Sequence, residues 1–396
     1  MQLSSFLQRF NEPETLKMAK LGRELRARGV DVIDLSLGEP DFDTPEHIKE
    51  AAIKAIRDNF SHYTPVPGFL DLREAVCHKL KRDNHLDYKP ENIVVSTGAK
   101  QSLANAILAL VDEDDEVIIP TPYWVTYSEL VKIARGKVVE LKAKADQHFK
   151  INAKQLEEAI TERSRVFMFS SPCNPSGTVY SKEELASLVE VFRKHPQIFI
   201  ISDEIYEYIN FTGGHESIAQ FGDIKDRVII VNGLSKGFAM TGWRLGYIAA
   251  HADIAKACEK IQGQFTSGTN SITQRAAITA LTTDLRPTLE MVIEFTARRK
   301  KVLELMTEIP GISCTEPAGA FYVFPDVSYF FGKTDGTTII ENASDLSLFL
   351  LNTAHVSSVS GGAFGEPNCI RFSFANSMKN IEEGWRRVKE ALSRFH

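Results

Sequence analysis

RVIIVNGLSKGFAMTGWRLGYIAA, residues 227–250, decides how this chain is read. Two apolar runs, RVIIVN and LGYIAA, flank a connection that carries Lys236 among Gly233, Ser235 and Gly237. Apolar runs of that length, bounded by small residues, read as buried strands. Lys236 therefore sits just past a strand end, with small neighbours that leave room for another molecule to approach its ammonium. Arg244 follows shortly after Gly242, and a guanidinium suits a phosphate or a carboxylate. On this stretch alone, a loop lysine and an exposed arginine at a strand start account for the pattern equally well.

The same punctuation continues toward the N-terminus. NIVVSTGAK is a strand that breaks at Gly98 and opens the helix SLANAILALV; EVIIP, KVVEL, RVFMFSS and QIFIISDE are further strands, separated by the helices YWVTYSELVKIARG and KEELASLVEVFRKH. Strands that alternate with helices and are apolar on both faces predict an α/β fold, a three-layer sandwich with a mostly parallel central sheet. Ahead of it, a polar arm and a helix (LKMAKLGRELRARG) lead to VIDLSLGEPDFDTP, where Thr44, Pro45 and Glu46 read as a cap and helix start. Two helices follow, joined through the loop HYTPVPG at residues 62–68. Beyond residue 250 two helices precede a long one, RPTLEMVIEFTARRKKVLELMTEI; then GAFYVFPD, VSSVSGG and CIRFSFA read as one smaller sheet and NIEEGWRRVKEALSRF as a closing helix. The expected division is a large domain over 45–285 and a smaller α+β domain built from 1–44 and 286–396.

Composition narrows the function classes. Of 396 residues 43% are hydrophobic and 25% charged, with a net charge of −6, an ordinary globular profile. Lys and Arg form no block or stripe, so nucleic acid is not an expected partner. The opening residues lack a basic, then apolar, leader, and no run is long enough to span a bilayer, so neither secretion nor a membrane is expected. Five scattered cysteines without a CxxC predict reduced thiols, a cytoplasmic location and no cysteine-bound metal.

In an open parallel sheet ligands bind beyond the carboxyl ends of the strands. Gly98, Ala99 and Lys100 follow NIVVST; Asn174 follows RVFMFSSPC; Asp203 and Tyr206 lie at the end of QIFIIS; Ser235 and Lys236 follow RVIIVNG. Taken singly, each has an ordinary use: a turn glycine, a turn-forming asparagine, a helix cap, a packed tyrosine. Together they assemble a carboxylate, an amide, a phenol, an amine and a glycine-opened helix start, which offers free N–H groups to an anion. Pyridoxal phosphate uses such a set: a lysine for its aldehyde, an anion for its ring nitrogen, donors for its phenolic oxygen and a phosphate cradle. Lys236 also suits the base that moves a substrate proton.

SPCNPSG, ISDEIY and GLSKGFAMTGWRLGY resemble the signature segments of class I pyridoxal-phosphate aminotransferases of fold type I, and the likeness runs from SLGEPDFDTP to CIRFSFA. GEPDFDTP, the turn GAKQ and PYW look most like bacterial aspartate aminotransferases. The resemblance implies that Lys236 anchors the cofactor, Asp203 pairs with its ring nitrogen, and Tyr206 and Asn174 bond its phenolic oxygen. It places Trp124 against the ring and gives the phosphate to Gly98, Ala99, Lys100, Ser235 and Arg244. Arg371 would clamp the substrate α-carboxylate beside the Gly38 backbone. Tyr63 would reach the phosphate of a neighbouring subunit, which implies a homodimer with shared sites.

An α-carboxylate clamp does not choose a side chain. Animal-type and enterobacterial aspartate enzymes use a partner-subunit arginine for the second carboxylate, but the corresponding segment here, QGQFTSGTNSITQ, has none. Relatives with the GGKQ-like turn use its lysine, so Lys100 is the expected ligand. A cation at a helix start opposes the helix dipole, and such local misfits favour function. The expected reaction exchanges the amino group between L-aspartate and 2-oxoglutarate by a ping-pong route. Prephenate, aromatic or other amino acids, or elimination at a C–S bond, are the alternatives.

Overall fold

The computed structural model describes residues 3–12 and 14–396; residues 1, 2 and 13 of the N-terminal arm lie outside the described residues. In chain order the main elements are α1 (Glu14–Ala27), β1 (Ile33–Asp34), α2 (Glu46–Arg57), α3 (Leu70–Asn84), β2 (Ile93–Ser96), α4 (Ala99–Leu110), β3 (Glu116–Thr121), α5 (Thr126–Ile133) and β4 (Lys137–Lys142). Then come α6 (Ala153–Ala159), β5 (Ser164–Ser170), α7 (Lys182–Lys194), β6 (Phe199–Asp203), β7 (Val228–Gly233), β8 (Gly246–Ala249), α8 (Ala252–Phe265) and α9 (Ser271–Thr282). The chain closes with α10 (Arg286–Thr307), β9 (Tyr322–Val323), α11 (Ala343–Phe349), β10 (Val356–Ser357), β11 (Val359–Ser360), β12 (Ile370–Ser373) and α12 (Met378–Leu392).

Seven strands form the central sheet in the order β2-β8-β7-β6-β5-β3-β4. Only β8 runs antiparallel to its neighbours. The reason is local: β7 and β8 are joined by the Lys236 connection, which has no crossover helix to carry the chain back to the other end. Successive residues of the buried strands feed opposite cores. Phe167, Ile200 and Ile230 pack with Leu188 and Phe192 of α7 and Ala276 of α9. Met168, Ile201 and Ile229 pack with Leu103 and Ile107 of α4 and Cys258 of α8. A sheet buried on both faces by helices explains why these strands read as continuous apolar runs.

A third cluster joins Ile33 and Leu35 to Met291, Phe295, Ile370, Phe372 and Trp385, and takes in Tyr206 and Tyr322. Here the structure departs from the single small sheet expected. β11, β12 and β9 make an antiparallel three-stranded sheet, while β10 pairs with β1 instead. Ser358, between β10 and β11, is where VSSV changes partner. Thr44 does not cap α2 either: that helix has no side-chain cap, and the Thr44 hydroxyl donates to the Ala239 carbonyl at 2.7 Å, tying the segment to the Lys236 connection.

Candidate active site

The carboxyl ends of β5, β6 and β7 open into a cavity of about 290 Å³. Gly38, Ala99, Lys100, Trp124, Asn174, Asp203, Tyr206, Ser235, Lys236, Arg244 and Arg371, all read from the sequence, line it. Residues separated by more than 300 positions in the chain thus face one space.

Asp203 is the last residue of β6 and is 4% exposed. Burial pushes its carboxyl up to about 6, although the Tyr127 hydroxyl donates to Oδ2 at 2.6 Å and the Ile205 N–H to Oδ1 at 3.2 Å. A buried carboxylate with no cation bonded to it favours a cationic group placed opposite. Lys236 Nζ donates to the Gly38 carbonyl, and burial lowers its amine to about 8. At pH 7 roughly a tenth of it is then the free base, far more than for an ordinary lysine, and the free base is the form that proton transfer or attack on a carbonyl requires.

Arg371 is 2% exposed, yet among the described residues no carboxylate lies within ion-pair distance of it. Its Nη1 donates to Asn174 Oδ1 at 2.9 Å and its Nη2 to the Ser36 carbonyl at 2.6 Å, while Nε has no partner. The guanidinium lies over the rings of Tyr322 and Phe364 at 4.5 and 5.0 Å. A desolvated cation with an orphaned donor, facing a cavity, fits an incoming carboxylate. Gly38 lies alongside; a β-carbon there would stand 2.8 Å from the Tyr322 hydroxyl.

The anion seat is built at the start of α4. Gly98 caps it with φ +87°, a backbone conformation that favours glycine, and a β-carbon on it would strike Arg244 Nη2 at 2.3 Å. The Arg244 guanidinium therefore rests directly against the helix start. Gly246 of β8 lets α4 approach so closely that a β-carbon would stand 2.2 Å from the Ala99 nitrogen. Free N–H groups, the helix dipole and a guanidinium at one point suit an anion. Ser235 is buried beside it. Lys100 is exposed at the cavity rim, 4.9 Å from the Trp124 ring; partial desolvation, then the Arg244 charge, lowers its amine.

Tyr63 is not brought to this cavity. It is 99% exposed on the loop between α2 and α3. Conversely, Tyr127 and Tyr322 line the cavity without having been singled out in the sequence. Tyr127 stands three residues after Trp124 at the start of α5, a helical spacing that sets the two side chains together, 5.8 Å apart edge to face. Tyr322 lies in an aromatic strand, where nothing local separates it from core.

One further group was missed. Glu204, Glu207 and His215 present ligand atoms within 4.8 Å of one another beneath the site. Lys79 of α3, 1% exposed, is ion-paired with Glu207 and donates to Asn84 at 2.7 Å, and Asn84 in turn donates to Glu207 at 3.0 Å. His215 Nε2 stands 3.0 Å from Glu204, whose other oxygen accepts from Ser202 and Ser217. Burial opposes charge on both, but their mutual attraction raises His215 and lowers Glu204. Two carboxylates thus meet an ammonium and a histidine whose charged form Glu204 favours, a buried polar network that begins at Glu204, the residue after Asp203.

Comparison with known proteins agrees with this geometry. Residues 30–388 match the family described as aminotransferase class I and II. The chain is 45% identical to an aspartate/prephenate aminotransferase of Nitrosomonas europaea, across 99% of this chain and 100% of that protein. It is 41% identical to an aspartate aminotransferase of Bacillus subtilis, across the full length of both. The crystal structure of an aspartate aminotransferase from Rhizobium meliloti superposes with a TM-score of 0.96 at 39% identity, covering 100% of each chain. An aspartate aminotransferase of Thermus thermophilus, solved with maleate, gives 0.93 at 36% identity over 99% of this chain and 100% of that one. On a family match spanning nearly the whole sequence, and on a sheet whose strand ends gather the lysine, carboxylate and arginine that such chemistry needs, the chain belongs to the class I and II aminotransferases.

Proposed function

We propose that the protein moves the amino group between L-aspartate and 2-oxoglutarate, giving oxaloacetate and L-glutamate, with pyridoxal 5'-phosphate as its cofactor. The observation that carries the reading is Arg371, a buried guanidinium without a carboxylate partner among the described residues, facing the same cavity as the Lys236 amine and the Asp203 carboxylate. The cavity's donor set suits the cofactor: Asp203 for the ring nitrogen, Tyr206 and Asn174 for the phenolic oxygen, and Gly98, Ala99, Lys100, Ser235 and Arg244 around the phosphate. Trp124 would lie along the ring. When bound, the cofactor supplies a cationic ring that draws electron density from the substrate Cα.

The chain's own groups do the rest. Asp203, desolvated and bonded only by neutral donors, gains most when its charge is met by a protonated nitrogen. Arg371 binds the α-carboxylate in a two-pronged grip and so fixes the Cα position. Lys236, at about 8, takes the proton from Cα and returns it. Lys100 at the rim takes the distal carboxylate. That relatives are named for aspartate, and one was solved with maleate, a dicarboxylate, supports a second cation site. Relatives named for both aspartate and prephenate favour prephenate, also a dicarboxylate, as a second keto substrate.

The full exposure of Tyr63 is what a residue serving a neighbouring subunit would show, so the reading includes a homodimer with shared sites. It also includes a large domain over 45–285 and a small one over 1–44 and 286–396; one apolar cluster lies wholly within the first range, and another is built mostly from the second, with Tyr206 and Ile209 joining it from the large domain. Among the described residues no helix is long and apolar enough to cross a membrane. With scattered free cysteines, a cytoplasmic location is the reading we adopt. The test is half-reaction spectroscopy. Aspartate added to the protein loaded with pyridoxal phosphate should convert the aldehyde absorbance to that of the amine form. No change with either aspartate or glutamate would refute the assignment.

A further inference from the structure

We propose that Tyr322 is a positioning residue that supplies a proton to the Tyr206 hydroxyl and ties that hydroxyl to the Arg371 clamp. The proposal rests on the pyridoxal phosphate reading above. Tyr322 is wholly buried on β9, which pairs with β12 so that Tyr322 faces Ser373, two residues beyond Arg371. Three parts of the site meet on this one side chain. Its hydroxyl oxygen is 2.7 Å from that of Tyr206, its ring lies 4.5 Å beneath the Arg371 guanidinium, and its hydroxyl fills the space that a β-carbon on Gly38 would need.

Packing alone does not call for the hydroxyl. Phe321 and Phe324 share the segment as plain phenyl rings, and both are as deeply buried. A buried phenol needs a partner, and here the partner is the phenol assigned to the cofactor oxygen. Each hydroxyl has one proton. If Tyr206 directs its proton at the cofactor, the proton between the two oxygens must come from Tyr322. The charge of Arg371 over the Tyr322 ring favours that direction by polarising its O–H. A donor that itself accepts a hydrogen bond donates more strongly. The arrangement therefore couples two events. Tyr322 strengthens Tyr206 toward the cofactor, and a substrate carboxylate that neutralises Arg371 weakens the polarisation.

The test is a pH titration of the absorbance of the cofactor-loaded protein for wild type, Tyr322→Phe, Tyr206→Phe and the double variant. Tyr322→Phe keeps the ring beneath Arg371 and removes only the proton. The expected result is a rise in the chromophore pKa of roughly half to one unit, the equivalent of part of one hydrogen bond. In the Tyr206→Phe background the same change should shift nothing, because its route is gone. Saturating succinate, an unreactive dicarboxylate, should narrow the gap between wild type and Tyr322→Phe. An unshifted Tyr322→Phe titration, or an equal shift without Tyr206, overturns the proposal. A wild type that takes up no pyridoxal phosphate overturns the cofactor reading itself, so the two failures are distinct.

Discussion

Replacing Asp203 with asparagine should strengthen the cofactor-free protein while weakening its hold on the cofactor. The carboxyl is 4% exposed and burial lifts it from an ordinary 3.8 to about 6. Between those values the folded protein holds a proton that the unfolded chain has released. Stability therefore falls as pH rises through that window, and the full penalty is present above about pH 6. The shift corresponds to a penalty on the order of 3 kcal/mol. Asparagine never ionises and carries none of it. It can still accept the Tyr127 hydroxyl bond, but its new N–H groups need partners, an offset of roughly 1–3 kcal/mol if they find none. That offset does not vary with pH, so the comparison to make is across pH. Urea midpoints of cofactor-stripped wild type and Asp203→Asn, measured from pH 4.5 to 7.5, should diverge in favour of the variant as pH rises. Pyridoxal phosphate should reverse the order, since only the carboxylate answers a protonated ring. A gap independent of pH, or a variant that loses ground as pH rises, would refute the account of a desolvated, uncompensated carboxylate.

Four other outcomes are expected. Arg371→Lys loses one prong of a buried, charged grip, worth roughly 1.5–3 kcal/mol; kcat/KM should drop by roughly 10- to 100-fold for aspartate and aromatic donors alike. Lys100→Ser acts at an exposed rim, where screening leaves about 1 kcal/mol; aspartate kcat/KM should fall severalfold with phenylalanine hardly changed, and equal losses would count against its role. Gly98→Ala forces a side chain into a glycine backbone region and onto Arg244, costing on the order of 1–3 kcal/mol; calorimetry should show a lower Tm and fluorescence titration weaker cofactor binding. His215→Gln leaves Glu204 without its cation and should destabilise by roughly 3–5 kcal/mol. Because the folded state raises the His215 pKa, its contribution is complete below about pH 6.5 and lost as pH rises through the raised value. The deficit of this variant in urea should accordingly be largest in acid and shrink toward alkaline pH.

Much of the architecture was legible because burial on two faces leaves a mark in composition. RVFMFS, QIFIIS and RVIIVN read as strands of a covered sheet, and their ends pointed to Asn174, Asp203 and Lys236 without reference to the third dimension. Gly98 before an apolar helix was equally plain. The direction of β8 was less so, although the missing crossover helix was its cue. VSSVSGG misled for a different reason: two-residue strands carry too little periodicity to say which partner each will take, and β1 and β12 lie far away in the chain.

Identity and order of residues settled which groups are available: an amine between glycines, a carboxylate closing an apolar strand, an arginine near the C-terminus. These are local properties, written in backbone preference and hydrophobic pattern. Folding alone decided their strengths. Asp203 is lifted and Lys236 lowered by desolvation, and Arg371 is left without a counter-ion among the described residues because Asn174 and Ser36, far off in sequence, hold it with neutral oxygens. Tyr127, Tyr322 and the Lys79–Glu207 pair gained their parts the same way. The cost of charge depends on everything packed around an atom, and a linear sequence does not list those neighbours.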